Sequence, residues 1–124
     1  MNARRAVAVA AVLVVSACNS LKDGPSQVCT MDGGAAANVP LTIEVGFGLS
    51  GCAPTNGKCT TTVDGGVVDI TASVNVCATG TNPGGVPAVV TCSVAPLSPG
   101  TYELAPVGRS LVVVADGGAA SCQL

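Results

Sequence analysis

The 124-residue sequence contains no histidine and no tryptophan, and its only aromatic side chains are Phe47 and Tyr102. Without histidine, the chain lacks the usual general base, the commonest metal ligand and the Ser-His-Asp and Cys-His arrangements of nucleophilic enzymes. Charged residues make up only 10% of the chain and form no basic patch, which argues against nucleic-acid binding. We therefore expect neither a metal ion nor a cofactor.

Three carboxylates are the remaining candidates for acid–base chemistry. They are Glu44, Asp69 and Glu103, and they could form a catalytic pair only if the fold brought two of them into one cleft. Residue alternation places Glu44 and Asp69 on solvent faces of predicted strands. We therefore expect a protein that is not an enzyme.

The N-terminus has the parts of an export signal. Arg4 and Arg5 form a short positive region, residues 6–15 are alanine, valine and leucine only, and the small residues Ser16 and Ala17 follow. The apolar run is about half of the roughly 20 residues that a membrane-spanning helix needs. This pattern predicts a signal peptide over residues 1–17.

The end of this segment, Val15-Ser16-Ala17-Cys18, resembles the lipobox of bacterial lipoproteins. The resemblance implies cleavage before Cys18, a diacylglyceryl (typically palmitate-bearing) group on its sulfur and acylation of its amine. Asn19 follows the cysteine, which in enteric-type bacteria points to the outer membrane of a Gram-negative cell envelope. The alternative is ordinary secretion, because Val15-x-Ala17 also fits a cleavage site that leaves Cys18 unmodified.

The cysteine count agrees with this interpretation. The chain has seven cysteines, and an odd cysteine in an exported protein needs an explanation. If Cys18 carries lipid, six remain that can close three disulfides in an oxidising compartment; they are Cys29, Cys52, Cys59, Cys77, Cys92 and Cys122. Six cysteines allow fifteen pairings, among which we favour Cys52–Cys59, Cys77–Cys92 and Cys29–Cys122.

Apolar and polar residues alternate through most of the remaining chain. Residues 41–47 and 67–77 have the period of two that is typical of half-buried strands, and Asp64-Gly65-Gly66 between strands indicates a hairpin turn. Residues 78–86 are expected to form a loop, and residues 110–115 a strand that is apolar on both faces. The pattern predicts an all-β antiparallel sandwich of six or seven strands over residues 39–124, preceded by a flexible tether over residues 18–38.

A six-residue segment, Leu97-Ser98-Pro99-Gly100-Thr101-Tyr102, resembles the tyrosine corner of immunoglobulin-like and fibronectin-type sandwiches. The resemblance implies that the Tyr102 hydroxyl bonds a backbone group upstream and fixes a connection between strands. The chain departs from true immunoglobulin domains because it has no tryptophan and because Leu104 stands where the second cysteine would be.

Together these features predict a lipid-anchored envelope or periplasmic domain with a non-enzymatic binding or structural role, whose partners are the membrane and possibly another envelope protein. An alternative is a small inhibitor or ligand-binding module. It would present the loop of residues 53–58, with Asn56 and Lys58 as contact residues, because a disulfide-closed loop is pre-organised for docking. Residues 79–87 form a second candidate surface.

Overall fold

The computed structural model describes residues 20–78 and 85–124. The predicted signal peptide, Cys18 and most of the predicted 78–86 loop lie outside these ranges. The described residues form strands and no helix, so they contain no candidate membrane-spanning helix. The strands are β1 (Ser20–Asp23), β2 (Gln27–Val28), β3 (Ala35–Ala36), β4 (Leu41–Ser50), β5 (Thr55–Asp64), β6 (Val67–Val76), β7 (Val86–Val94), β8 (Gly100–Ala105) and β9 (Arg109–Val114).

The larger sheet is organised around β6. β5 pairs with one edge of β6 along almost the whole length of β6, and the predicted Asp64-Gly65-Gly66 turn joins the two strands. The opposite edge is shared by two strands, because β1 pairs with residues 73–76 and β8 pairs with residues 67–69. Beyond β8 lie β9 and then β3, which gives six strands in total.

The smaller sheet consists of β2, β4 and β7, with β4 in the centre. The chain after β9 returns to this sheet: the Thr42 amide donates to the Ala120 carbonyl at 2.9 Å, and the Cys122 amide donates to the Thr42 carbonyl at 3.0 Å. The same tail also accepts a hydrogen bond from the Ala36 amide through Ala119 at 2.8 Å. The C-terminal tail therefore lies between β3 of the larger sheet and β4 of the smaller one.

Two strand pairs are parallel, so the expectation of a purely antiparallel arrangement is wrong. β6 pairs with β8 and β3 pairs with β9 in parallel, whereas the other strand pairs are antiparallel. The physical reason is connectivity. The chain between β6 and β8 passes through β7 in the other sheet, and such a crossover lets the returning strand run in the same direction. The all-β class and the two-sheet architecture agree with the sequence pattern.

The core follows the predicted alternation. The apolar residues at alternate positions of β4 from Leu41 to Phe47, and of β6 from Val68 to Val74, are all buried between the sheets. In β9 the expectation of two buried faces is wrong, because Leu111 and Val113 are buried while Val112 is 49% exposed. The smaller sheet covers only one face of β9. Because residues 111–114 are all valine or leucine, their sequence did not show which face would be buried.

The interpretation of residues 18–38 as a flexible tether is wrong from Ser20 onward. This segment contains β1, β2 and β3, and it contributes Val28, Cys29 and Ala35 to the buried core. Strands of two residues are too short to show any periodicity, so the sequence pattern could not mark them. The folded domain therefore includes residues 20–38 as well as residues 39–124.

Three disulfides join the six described cysteines, and one of the three expected pairings is confirmed. Cys29–Cys122 is present as predicted, whereas Cys52 bonds Cys77 and Cys59 bonds Cys92, with Cα–Cα distances of 5.7, 5.4 and 5.3 Å in that order. The two other pairings are wrong because Cys59 lies within the extended strand β5, away from Cys52. β5 runs beside β7, where the Thr61 hydroxyl donates to the Ser93 carbonyl at 2.7 Å. Cys59–Cys92 therefore links the two sheets.

Candidate functional site

The predicted binding residues Asn56 and Lys58 lie at the irregular start of β5. The pairing of β5 with β6 shifts register between Thr55 and Lys58. Asn56 adopts a left-handed φ of 54°, similar to the φ of 62° at Asn38. Asparagine tolerates this conformation better than most residues. Since Cys52 and Cys59 are not bonded to each other, the expectation of a disulfide-closed loop is wrong, and the inhibitor hypothesis loses its pre-organised loop.

Lys58 nevertheless lines a groove, which we call the lysine groove. It has a volume of about 580 Å³ and is bordered by β1, β5 and β6, with Asp23, Lys58, Thr60 and Ser73 among its polar residues. One cation, one carboxylate and several hydroxyl groups give it hydrogen-bonding capacity of both kinds. Asn56 is exposed nearby in the sequence but does not line this groove.

A second groove, which we call the C-terminal groove, has a volume of about 490 Å³ and is lined by residues of the smaller sheet, of the turn before β9 and of the C-terminus. Gln27, Gly46, Arg109 and Leu124 are among its lining residues. The Leu124 amide donates to Oε1 of Glu44 at 2.9 Å. The last residue of the chain is therefore held against β4.

Gly46 makes this contact possible. A Cβ at this position would lie 2.9 Å from Gln27 Oε1 and 2.9 Å from Leu124 Cδ1. The prediction of binding residues missed this groove, although the sequence contained one signal for it: a glycine within a strand often marks a close approach by another chain segment. Gly46 stands at a polar-face position of an otherwise regular alternation.

The structure brings two of the three candidate carboxylates near each other. Asp69 pairs with Ala105, and Glu103 pairs with Val67, so the two acidic residues are diagonal neighbours on adjacent strands. Both are exposed, as expected of solvated surface charges, whereas Glu44 lies in the other sheet and accepts the Leu124 amide. Within residues 20–78 and 85–124, no group of three or more His, Cys, Asp or Glu residues could hold a metal ion.

Tyr102 makes the contact that the tyrosine-corner resemblance implies. Its hydroxyl donates to the Ser98 carbonyl at 2.8 Å and lies 3.3 Å from the Ser98 hydroxyl. This bond spans the connection that carries the chain from β7 to β8, and so from the smaller sheet to the larger one. Its role is structural, because it fixes the path of this connection.

Comparison with known proteins identifies no relative of this chain. No family model, curated protein or solved structure matches the chain. The candidate functional features are therefore those of the chain itself: Cys18 in the sequence, and the lysine groove and the C-terminal groove in the fold.

Proposed function

We propose that the protein is a lipid-anchored component of a bacterial cell envelope, held at the membrane by Cys18 and acting by contact rather than by catalysis. One observation carries the proposal. Val15-Ser16-Ala17-Cys18 ends a short export signal, and each of the six other cysteines is engaged in a disulfide, which leaves Cys18 as the cysteine available for lipid. The Asn19 that follows favours the outer membrane of a Gram-negative bacterium.

The disulfides support an exported location independently of the signal. Disulfides form and persist in oxidising compartments such as the periplasm and the cell surface. They also suit a domain whose core is built from valine, leucine, isoleucine and alanine, with Phe47 as its one buried aromatic ring among the described residues. Such side chains bury less area per residue than aromatic rings, so covalent links offset a smaller hydrophobic contribution.

We further propose that the sandwich is related to immunoglobulin-like domains. Two observations support this relationship: the bond from the Tyr102 hydroxyl to the Ser98 carbonyl, and the Cys59–Cys92 disulfide that joins the two sheets. The parallel β6–β8 and β3–β9 pairs are the departure from that architecture. The proposed relationship therefore concerns the core and the corner, and it carries no antibody-like function.

A role by contact is favoured by the kinds of surface that the domain presents. The lysine groove and the C-terminal groove combine apolar walls with a few polar groups, as small binding surfaces do. The neighbouring carboxylates Asp69 and Glu103 are exposed to water rather than enclosed in a cleft. Solvent therefore screens their charges, as it does for ordinary surface carboxylates. We propose that an envelope partner or the membrane itself is what the domain contacts.

The test is the intact mass of the full-length protein extracted from the membrane of a bacterial host that processes lipoproteins, measured before and after reduction. We expect a chain that starts at Cys18, carries acyl groups, and gains alkylatable thiols only after reduction. A Cys18→Ser variant should lose the acyl mass and leave the membrane fraction, whereas Ser20→Ala, two residues away, should keep both. An unmodified Cys18 in soluble protein, or free thiols before reduction, would contradict the proposal.

A further inference from the structure

The position of β1 places Cys18 close to one end of the domain. Ser20 is the first residue of β1 and pairs with Val76, the last residue of β6. Cys18 precedes Ser20 by two residues, and two extended residues span at most about 7 Å. A lipid on Cys18 is therefore held near the C-terminal end of β6, without the long tether that the sequence suggested.

Four strands, from both sheets, meet at this end, since β4, β6 and β7 join β1 there. The Gly51 amide donates to the Cys77 carbonyl at 2.9 Å, and the Cys77 amide donates to the Ser50 hydroxyl at 3.0 Å. Ser50 in turn pairs with Val86 at the start of β7. We call this surface the anchored end; it comprises residues 20–21, 49–52, 75–78 and 85–87.

The anchored end is apolar and uncharged. Leu21, Leu49 and Val86 are 64%, 56% and 43% exposed. Leu21 lies beside Asn75 on the outer face of the larger sheet, Leu49 lies beside Pro87 on the outer face of the smaller sheet, and Val86 lies beside Ser50. The three side chains therefore surround one end of the domain, and exposed aliphatic side chains on several sides of one end suit contact with an apolar medium. None of the residues of the anchored end carries a charge. They come from three different strands, so the grouping arises only from the fold.

The charged residues near the anchored end differ from those at the opposite end of the domain. Lys22 pairs with Val74 and Lys58 pairs with Ser73, so both lysines lie just behind the anchored end; Asp23, opposite Ser73, shares their level. At the other end of β6, about 30 Å away at 3.3 Å per residue, the register places three acidic residues and one cation, Arg109, which pairs with Leu104; the acidic residues are Asp64, Asp69 and Glu103. An apolar end followed by lysines matches a membrane surface, which accepts aliphatic side chains and attracts cations.

We propose that the anchored end rests in the lipid headgroup region of the membrane that holds Cys18, with Leu21, Leu49 and Val86 inserted among the lipids. This inference rests on the proposed lipid anchor. The short reach from Cys18 to Ser20 makes the lipid surface the occupant, because acyl chains on Cys18 hold that surface within about 7 Å of Ser20, which precedes Leu21 in β1. The domain then stands upright, and the β5–β6 turn and the acidic end point away from the membrane.

The experiment uses the absence of tryptophan from the chain. Leu49→Trp and Leu21→Trp each introduce a single reporter at the anchored end, on different sheets. Val63→Trp is the matched control, because Val63 is similarly exposed, at 42%, and pairs with Val68 at the opposite end of β6. Each lipidated full-length variant is reconstituted into phosphatidylethanolamine–phosphatidylglycerol vesicles, with and without lipids that carry a nitroxide quencher near the headgroup. Intact mass confirms acylation and disulfides in every sample.

We expect the Leu49→Trp and Leu21→Trp emission to shift to shorter wavelength in vesicles and to lose most of its intensity with the nitroxide lipid, while the Val63→Trp emission changes in neither respect. Acylated protein in which both the Leu49→Trp and the Leu21→Trp emission behave like that of the Val63→Trp control would overturn the inference while leaving the anchor in place. Protein without acyl mass would instead overturn the proposed function. A blue shift of the Leu49→Trp emission in detergent-free solution of the Cys18→Ser protein, together with a dimer in sedimentation, would assign the surface to a second copy and overturn the inference.

Discussion

The Cys29–Cys122 disulfide is expected to contribute more to stability than either of the other two. It closes a loop with a sequence separation of 93 residues, whereas Cys52–Cys77 has a separation of 25. Cross-linking stabilises a domain mainly by restricting its unfolded chain, and the restriction grows with loop length. It also covalently fixes the C-terminal tail, which bridges β3 and β4 through backbone hydrogen bonds.

The magnitude follows from the loop lengths. The chain-entropy relation gives about 4.6 kcal/mol at 25 °C for a separation of 93 residues and about 3.5 kcal/mol for 25 residues. The two bridges are matched in burial, since each joins one buried cysteine to one half-buried cysteine. Removing the sulfur atoms therefore costs similar packing in both cases, and the difference of about 1 kcal/mol reports loop closure. A loss of about 4.6 kcal/mol is a large part of the roughly 5–15 kcal/mol that stabilises a typical domain.

The assay compares the doubly substituted variants Cys29→Ala/Cys122→Ala and Cys52→Ala/Cys77→Ala with the parent domain. Urea unfolding is followed by far-ultraviolet circular dichroism, and the free energy of unfolding is obtained by linear extrapolation. We expect both variants to be destabilised, the first by about 1 kcal/mol more than the second. A Cys29→Ala/Cys122→Ala loss below that of the other variant would refute the argument from loop length.

Three further substitutions test the packing of the domain. Gly118→Ala would press a Cβ against the β3 backbone, so we expect the free energy of unfolding to fall by about 1–3 kcal/mol. Gly66→Ala is the control and should be tolerated, because its Cβ would have its nearest neighbour at 3.9 Å. Equal melting temperatures of the two variants would contradict the close approach at Gly118. Tyr102→Phe removes the hydroxyl bond to the carbonyl four residues upstream and should cost about 1 kcal/mol in urea unfolding, and an unchanged midpoint would deny the corner a structural role. Leu104→Ala should lower the free energy of unfolding by about 2–5 kcal/mol because its side chain is buried. Leu49→Ala, at an exposed site, should change it by no more than about 0.5 kcal/mol. Similar losses for the two variants would place Leu49 in the core.

Local patterns predicted the long strands and their buried faces. β4 and β6 are each ten residues long, so their alternation repeats several times and fixes which side chains face the core. Asp64-Gly65-Gly66 also predicted the turn that joins β5 to β6, because a hairpin turn depends on residues adjacent in sequence. The cysteine count predicted three disulfides, since parity needs no geometry.

Only the tertiary structure decided features that depend on residues distant in sequence. β1, β2 and β3 exist because β6, β4 and β9 offer free edges to short segments that carry no periodicity of their own. The partners of Cys52 and Cys59 were set by which strand ends meet, and the sequence alone left fifteen pairings open. The position of Leu21, Leu49 and Val86 at one end of the domain arises for the same reason. Each is an ordinary exposed aliphatic residue in the sequence, and the packing of the two sheets brings their strand ends together at the end where β1 begins.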